Sequence, residues 1–262
     1  MKQRVIIAYD GSPDGKRALT LGNLICRAFD AKPVIAYRGG VQVPEMAKGY
    51  FKNTGHKSPT RGLRMLADQV RPMAVVVGCA PSENFGRSQA GCGGKRILKG
   101  GNCPIAVAPP EARPVKGLSA ICVAVDGHGG SFRAIDEASS MARFLGVGLR
   151  IVSVLASAPT SRRKIKSVRN QARANHATRI LEEAANRVPG DVKVELEGLV
   201  GDPAEKLGEY SEGFDLMVVG SQAHGRLGRP LHRSVSAYLM EHSRCPVLIT
   251  PEKTPDRTMA FG

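Results

Sequence analysis

The chain has 262 residues, 38 Lys+Arg against 23 Asp+Glu, a formal net charge of +15 at pH 7, six Cys and no Trp. That length suits two domains of ordinary size, each able to build its own core. No run approaches the ~20 apolar residues of a membrane span and the first twenty residues lack a signal-peptide core, so a soluble, cytoplasmic protein is expected.

The cysteines form no CxxC pair and no His-rich metal spacing. Cys26, Cys79, Cys103, Cys122 and Cys245 stand in apolar surroundings, as small buried hydrophobes do, which argues against a disulfide framework and a zinc site. The charge is lopsided: residues 1–115 hold 18 Lys+Arg against 7 Asp+Glu, and residues 116–262 hold 20 against 16. Such an excess attracts nucleic acid, anionic lipid or phosphate ligands, or simply solvates a surface. No aromatic-rich nucleic-acid signature accompanies it.

In chain order, "VIIAYDGSPDGKRALTLGNLICRAF" places Asp10 at the end of an apolar strand, and Ser12-Pro13-Asp14 reads as the cap of a following helix. The stretch "RGGVQVPEMAKGYFKNTGHKSP" comes next; its segment Lys52–Ser58, with Asn53, Gly55 and His56, makes a poor strand. "AVVVGCAP" and "NCPIAVAPP" are further buried strands, and "EARPVKG" is a linker. "ICVAVDGHGGSFRAIDEASSMARFL" then repeats the opening strand, turn and helix, with Asp126 in the place of Asp10.

"LRIVSVL" is the next strand, and Ile165, Val168, Ala172, Ile180, Leu181, Ala184 and Val188 trace one long amphipathic helix ended by Pro189-Gly190. "VKVELEGLV" alternates like a strand near an edge. Asp202-Pro203-Ala204-Glu205 starts a helix with cap, first-turn proline and first-turn acid. "FDLMVVG", a Gly- and Arg-rich loop, a helix from Ser234 and "PVLIT" complete the chain's second unit.

Asp10/Asp126 and Gly11/Gly127 lie 116 residues apart, whereas Gly78/Gly220, Cys103/Cys245 and Pro104/Pro246 lie 142 apart. The chain is thus a tandem repeat whose first copy is shorter by 26 residues, a loss that falls on the long helix. Strands alternating with helices predict α/β architecture: two doubly wound parallel sheets, over residues 1–112 and 113–262, the first degenerate and lacking one helix. Ligands of such sheets sit beyond the strands' C-terminal ends.

The strand-end Asp-Gly, the Gly201-Asp202-Pro203-Ala204-Glu205 run, the Val-Val-Gly-Ser strand exit and the Cys-Pro-Val before the last strand resemble a tandem universal stress protein over almost the whole length. The resemblance implies five strands per unit in the order 3-2-1-4-5 and pairing of last strands. It also implies, in some members, ATP held by a loop of the form Gly, two residues, Gly, nine residues, Gly-Ser. Glycines there let backbone amides approach phosphate, and the Ser caps a helix whose positive end faces the anion.

Carried onto this chain, the second-half loop runs from Gly220 with Gln222 inside it, has Ala223 and Arg233 where glycines are expected, and ends in Ser234-Val235-Ser236. The resemblance implies that Asp126 lies beside the adenosine portion, with Ala124, Val125, Val154 and Val219 as further cofactor-binding positions. In the first half Asp10, Gly78 and Gly91 match, but Pro81 and Cys92-Gly93-Gly94 do not. Arg233 has two readings, obstruction of the usual nucleotide pose or bidentate grip on an anion. Asp10 and Asp126 likewise serve either as turn residues or as ligand contacts.

No Ser/His/Asp signature, HExxH or GxxxxGK[ST] occurs. The expectation is a non-catalytic stress-response protein in which binding of ATP or another adenine nucleotide is weak or lost, with no metal. The alternatives are an ATP-binding member with slow hydrolysis and a nucleic-acid binder that uses the basic surface, including the run "SRRKIKSVRNQAR". The equivalent strands Ile105–Ala108 and Val247–Thr250 are expected to pair within the chain. The sheet face from which the helix is lost needs cover, by a further homodimer or by Val41–Tyr50 refolding over it.

Overall fold

Ten short strands, nine of them containing Val, Ile, Ala or Leu, line up into a single sheet. They are β1 (Arg4–Tyr9), β2 (Lys32–Tyr37), β3 (Tyr50–Asn53), β4 (Ala74–Gly78), β5 (Ile105–Ala108), β6 (Ile121–Ala124), β7 (Leu149–Ala156), β8 (Val194–Gly201), β9 (Leu216–Gly220) and β10 (Val247–Thr250). The computed structural model describes residues 2–37, 50–53, 59–79, 103–156, 163–221 and 234–251.

The strand order is β3-β2-β1-β4-β5-β10-β9-β6-β7-β8. Each half therefore repeats 3-2-1-4-5, a doubly wound α/β arrangement. Neighbours within each half run parallel. At the middle, β5 and β10 meet antiparallel, with Val247 opposite Val107, Leu248 opposite Ala106 and Ile249 opposite Ile105.

Among the described residues, six α-helices cover the sheet: α1 (Pro13–Ala28), α2 (Pro59–Val70), α3 (Gly129–Leu145), α4 (Arg163–Ala185), α5 (Pro203–Tyr210) and α6 (Val235–His242). Their starts follow local chemistry. The Ser12 side chain accepts from Gly15 N at 3.1 Å, and Asp202 accepts from Ala204 N and Glu205 N. Ser234 caps α6 by accepting from Ala237 N. α3 ends at Gly146, which takes the left-handed conformation (φ 66°) that glycine adopts without a Cβ penalty.

Alternate strand residues point to opposite faces, and two cores result. One holds Val5, Ile7 and Ile35 with Val123, Ile151 and Leu248, under α1, α3 and the end of α4. The other holds Ile6, Val34 and Val107 with Cys122, Val152 and Val247, against Leu63 and Leu66 of α2, Leu207 of α5 and Leu239 of α6. Both cores continue across the β5/β10 seam, so neither half is packed independently. Each fully buried Val or Ile contributes roughly 1.5–3 kcal/mol.

The connection from β5 to β6 is pinned by Asp215 at the start of β9. Its carboxylate accepts from Arg113 Nη2 (2.9 Å), Ser119 N (2.9 Å), Ser119 Oγ (2.7 Å) and Ala120 N (3.1 Å). Burial alone would raise this carboxyl, but those hydrogen bonds outweigh it and hold it below the usual carboxylate range.

The structure moves two sequence expectations. β3 occupies Tyr50–Asn53 rather than Lys52–Ser58, because Tyr50 and Phe51 find partners opposite Val34 and Ile35; residues 54–58 lie outside the described residues. α4 stops at Ala185, short of Val188, where Arg187 N and Val188 N turn back to Ala184 O and Ala185 O. In the first half Val5, Ile7 and Ile35 are fully buried, so the sheet is covered at these positions. Residues 38–49, on which the expected loss of a helix falls, lie outside the described residues.

Candidate functional site

In each half the strand order reverses beside the first strand, which opens a crevice at the strands' C-terminal ends. In the second half β6 is flanked by β7 and β9, with Ala124 opposite Val152 on one side and Val219 on the other. Ala124, Val154 and Val235 are partly buried and pack against the core that contains Val219. These residues form an apolar floor joining three strands and the start of α6.

Val125, 4% exposed, carries the chain out of β6 to Asp126 at the rim. Asp126 and Gly127 make a tight turn in which Gly127 has φ +79°, and Gly11 after Asp10 has φ +80°. A residue with a Cβ is strained at such angles, so both turns need glycine. Asp126 Oδ1 accepts from His128 N at 3.0 Å and lies 3.4 Å from His128 Nδ1. The imidazole is 71% exposed. Ser131 Oγ donates to His128 O at 2.8 Å and accepts from Asp126 N at 3.4 Å.

On the other side of the floor, Ser234 Oγ lies 2.9 Å from Ser236 Oγ. Ser236 is buried, so its hydroxyl supports the cap rather than facing solvent. Gln222, Ala223 and Arg233 lie outside the described residues, as does Gly91.

Gly220 is accounted for by packing. A Cβ there would collide with the backbone of Gly130 and Ser131 at the start of α3. Gly78 stands in the same relation to the backbone of Asp14, and a Cβ on it would strike the Asp14 carbonyl. Positions 14 and 130 are equivalent in the repeat, so both halves press the first helix onto the exit of the fourth strand through a glycine.

In the first half the Asp10 carboxylate is engaged locally by Ser12 N at 3.0 Å and by Ser12 Oγ. Arg17 pairs with Asp14 and donates to Cys79 O at 3.4 Å. The structure thus places Asp126 two residues beyond Ala124 of the apolar floor and the Ser234 cap next to Val235 of the same floor, while Asp10 and Gly78 belong to the other half. Gly130, His128 and Ser131 were missed. The 116-residue offset held the signal, since it aligns His128 with the capping Ser12 and Gly130 with Asp14.

Among the described residues, no group of three or more His, Cys, Asp or Glu is placed to hold a metal. No described helix is long and apolar enough to cross a membrane.

The universal stress protein family model matches residues 118–251, half of the chain and the whole of the crevice just described. The chain belongs to the universal stress protein family. Among solved structures it is similar to a universal stress protein from Archaeoglobus fulgidus DSM 4304, at 14% identity and a TM-score of 0.62, over 95% of this chain and 98% of that one. A putative universal stress protein from Pseudomonas aeruginosa UCBPP-PA14 is similar at 13% identity and a TM-score of 0.65, over 95% and 93%. These likenesses concern the fold. A universal stress protein in complex with cAMP is 26% identical over 52% of this chain and 99% of that chain, with a TM-score of 0.43. No curated protein matches.

Proposed function

We propose that the protein is a non-catalytic stress-response module in which the first half is a diverged second copy of the family domain and adenine-nucleotide binding is weak or lost. What binding remains belongs to the second half. There an apolar floor of Ala124, Val154, Val219 and Val235 offers an adenine ring a dry surface, and Asp126 offers a ribose or amino group a carboxylate at the rim.

The equivalence of Gly78 and Gly220 carries this reading. Each retained glycine is required where a strand exit meets a helix backbone, so neither testifies to a phosphate site. Of the other two glycine positions, the second half carries Ala223 and Arg233; the first half carries Pro81 and retains Gly91, but has Cys92 in place of the Ser. A phosphate cradle needs backbone amides that ligand oxygens can approach, and bulky side chains at those positions work against it.

Native mass spectrometry of the freshly purified chain is expected to show the protein mass without a stoichiometric nucleotide. Phosphate release from ATP is expected to stay at background and to be unchanged in Asp126→Ala. Hydrolysis abolished by that substitution would instead establish the slow ATPase. If a nucleotide is retained, Asp126→Ala and Ser234→Ala should release it while Asp10→Ala does not; the reverse ranking would move the site to the first half.

A further inference from the structure

Glu137 is an anomaly in the core. It lies on α3 with 8% of its surface exposed, and its Oε2 has no hydrogen-bond partner. Its helix neighbours Ala134, Ile135, Ala138 and Met141 belong to the core shared by both halves. Seven residues on, and so on the same helix face, the Phe144 ring lies 5.5 Å from Phe29 at the end of α1. Glu137 therefore stands on the side of α3 turned toward the seam between the halves. The equivalent position in the first half is Leu21, 3% exposed, so a carboxyl occupies a place built for an aliphatic side chain.

Among the described residues, no counter-charge pairs with it. α3 packs on β6, β9, β10 and β7. The first three carry no acidic or basic side chain, and Cys122 of β6 belongs to the core on the other face. Arg150 of β7 is held by Tyr210, Glu195 and Glu197. On α1, Asp14 and Arg17 pair with each other. On α3 itself, Asp136 is taken by Arg187 at 3.0 Å and Arg143 by Asp191 at 2.7 Å, while Arg133 is half-buried a turn away. Burial, and secondly the charge of Asp136, push the Glu137 carboxyl up to about 7.

We infer that Glu137 is a pH-operated switch on the packing of α3 beside the seam: neutral, it completes the core, and ionised, it loosens it. When α3 opens, the carboxyl reaches water and gives up its proton there. The closed form holds that proton up to near neutrality, so opening becomes easier as pH rises from the ordinary glutamate range and levels off above about 7. Acidification from neutrality therefore tightens the two halves together.

The test is hydrogen exchange of the full chain, read as protection factors for α3 amides and normalised for the intrinsic pH dependence of exchange. Wild type is expected to lose about 40-fold protection between pH 5 and pH 7. Glu137→Gln and Glu137→Leu are expected to stay flat over that range. All six histidines remain in both variants, so a trend that they cause would survive the substitutions. Equal slopes in wild type and variants would overturn the inference. Should both variants fail to fold, a carbon-13 titration of the wild-type Glu137 carboxyl decides: a midpoint near 7 supports the switch, and one near 4.5 refutes it.

Discussion

Gly78 and Gly220 are the residues most exposed to a one-atom test. Replacing either by Ala drives a Cβ into backbone that has no rotamer with which to yield. Each is expected to lower unfolding free energy in urea by about 1–3 kcal/mol, the usual range for overpacking. Gly129→Ala is the control, because a Cβ there meets nothing within 4 Å, and it should be close to neutral. Asp215 offers a test with a pH signature. Its folded carboxyl titrates below the unfolded value of about 3.8, so its contribution is present above that pH and is lost as pH falls through the folded value. Asp215→Asn should cost roughly 1–3 kcal/mol at pH 7, and the gap to wild type should narrow as pH falls below about 3.8. A gap constant with pH would show that the hydrogen bonds to Arg113, Ser119 and Ala120 do not favour the ionised form.

At the scale of elements, helix starts are the most portable features, because a cap acts within four residues. Asp202→Ala should cost about 1 kcal/mol through loss of its bonds to Ala204 N and Glu205 N, measurable as a shift in urea midpoint at unchanged slope. This same locality made Ser12, Asp202 and Ser234, and with them α5 and α6, legible in the sequence; short apolar runs marked β6, β7, β9 and β10, alternation marked β8, and the 3.6 period marked α3 and α4. β3 was less so. Its position is set by pairing with Val34–Tyr37 on β2, a contact that local propensity does not encode. The end of α4 depended on a turn of three-residue hydrogen bonds that periodicity does not register. Gly220 stood out in the sequence as a special glycine, but its partner, Gly130, is remote in the chain. Only the assembled sheet distinguishes packing from ligand approach.

At the scale of the molecule, the β5/β10 pairing converts two repeats into one ten-stranded body. Because both cores run through the seam, calorimetric unfolding is expected as one transition with equal calorimetric and van't Hoff enthalpies. Two resolved transitions would show that the halves fold separately. The seam also shapes the functional reading, since the terminal strand that could recruit another chain is already used inside this one. Two crevices remain, with Asp10 engaged by Ser12 in the first and Asp126 beside an apolar floor in the second. The most direct test is isothermal titration of the full chain with ATP. Heats too small to fit, or a single site weaker than roughly 100 micromolar, a binding free energy of about −5.5 kcal/mol, is the predicted result. Two equivalents of ATP bound at micromolar affinity or tighter would contradict it.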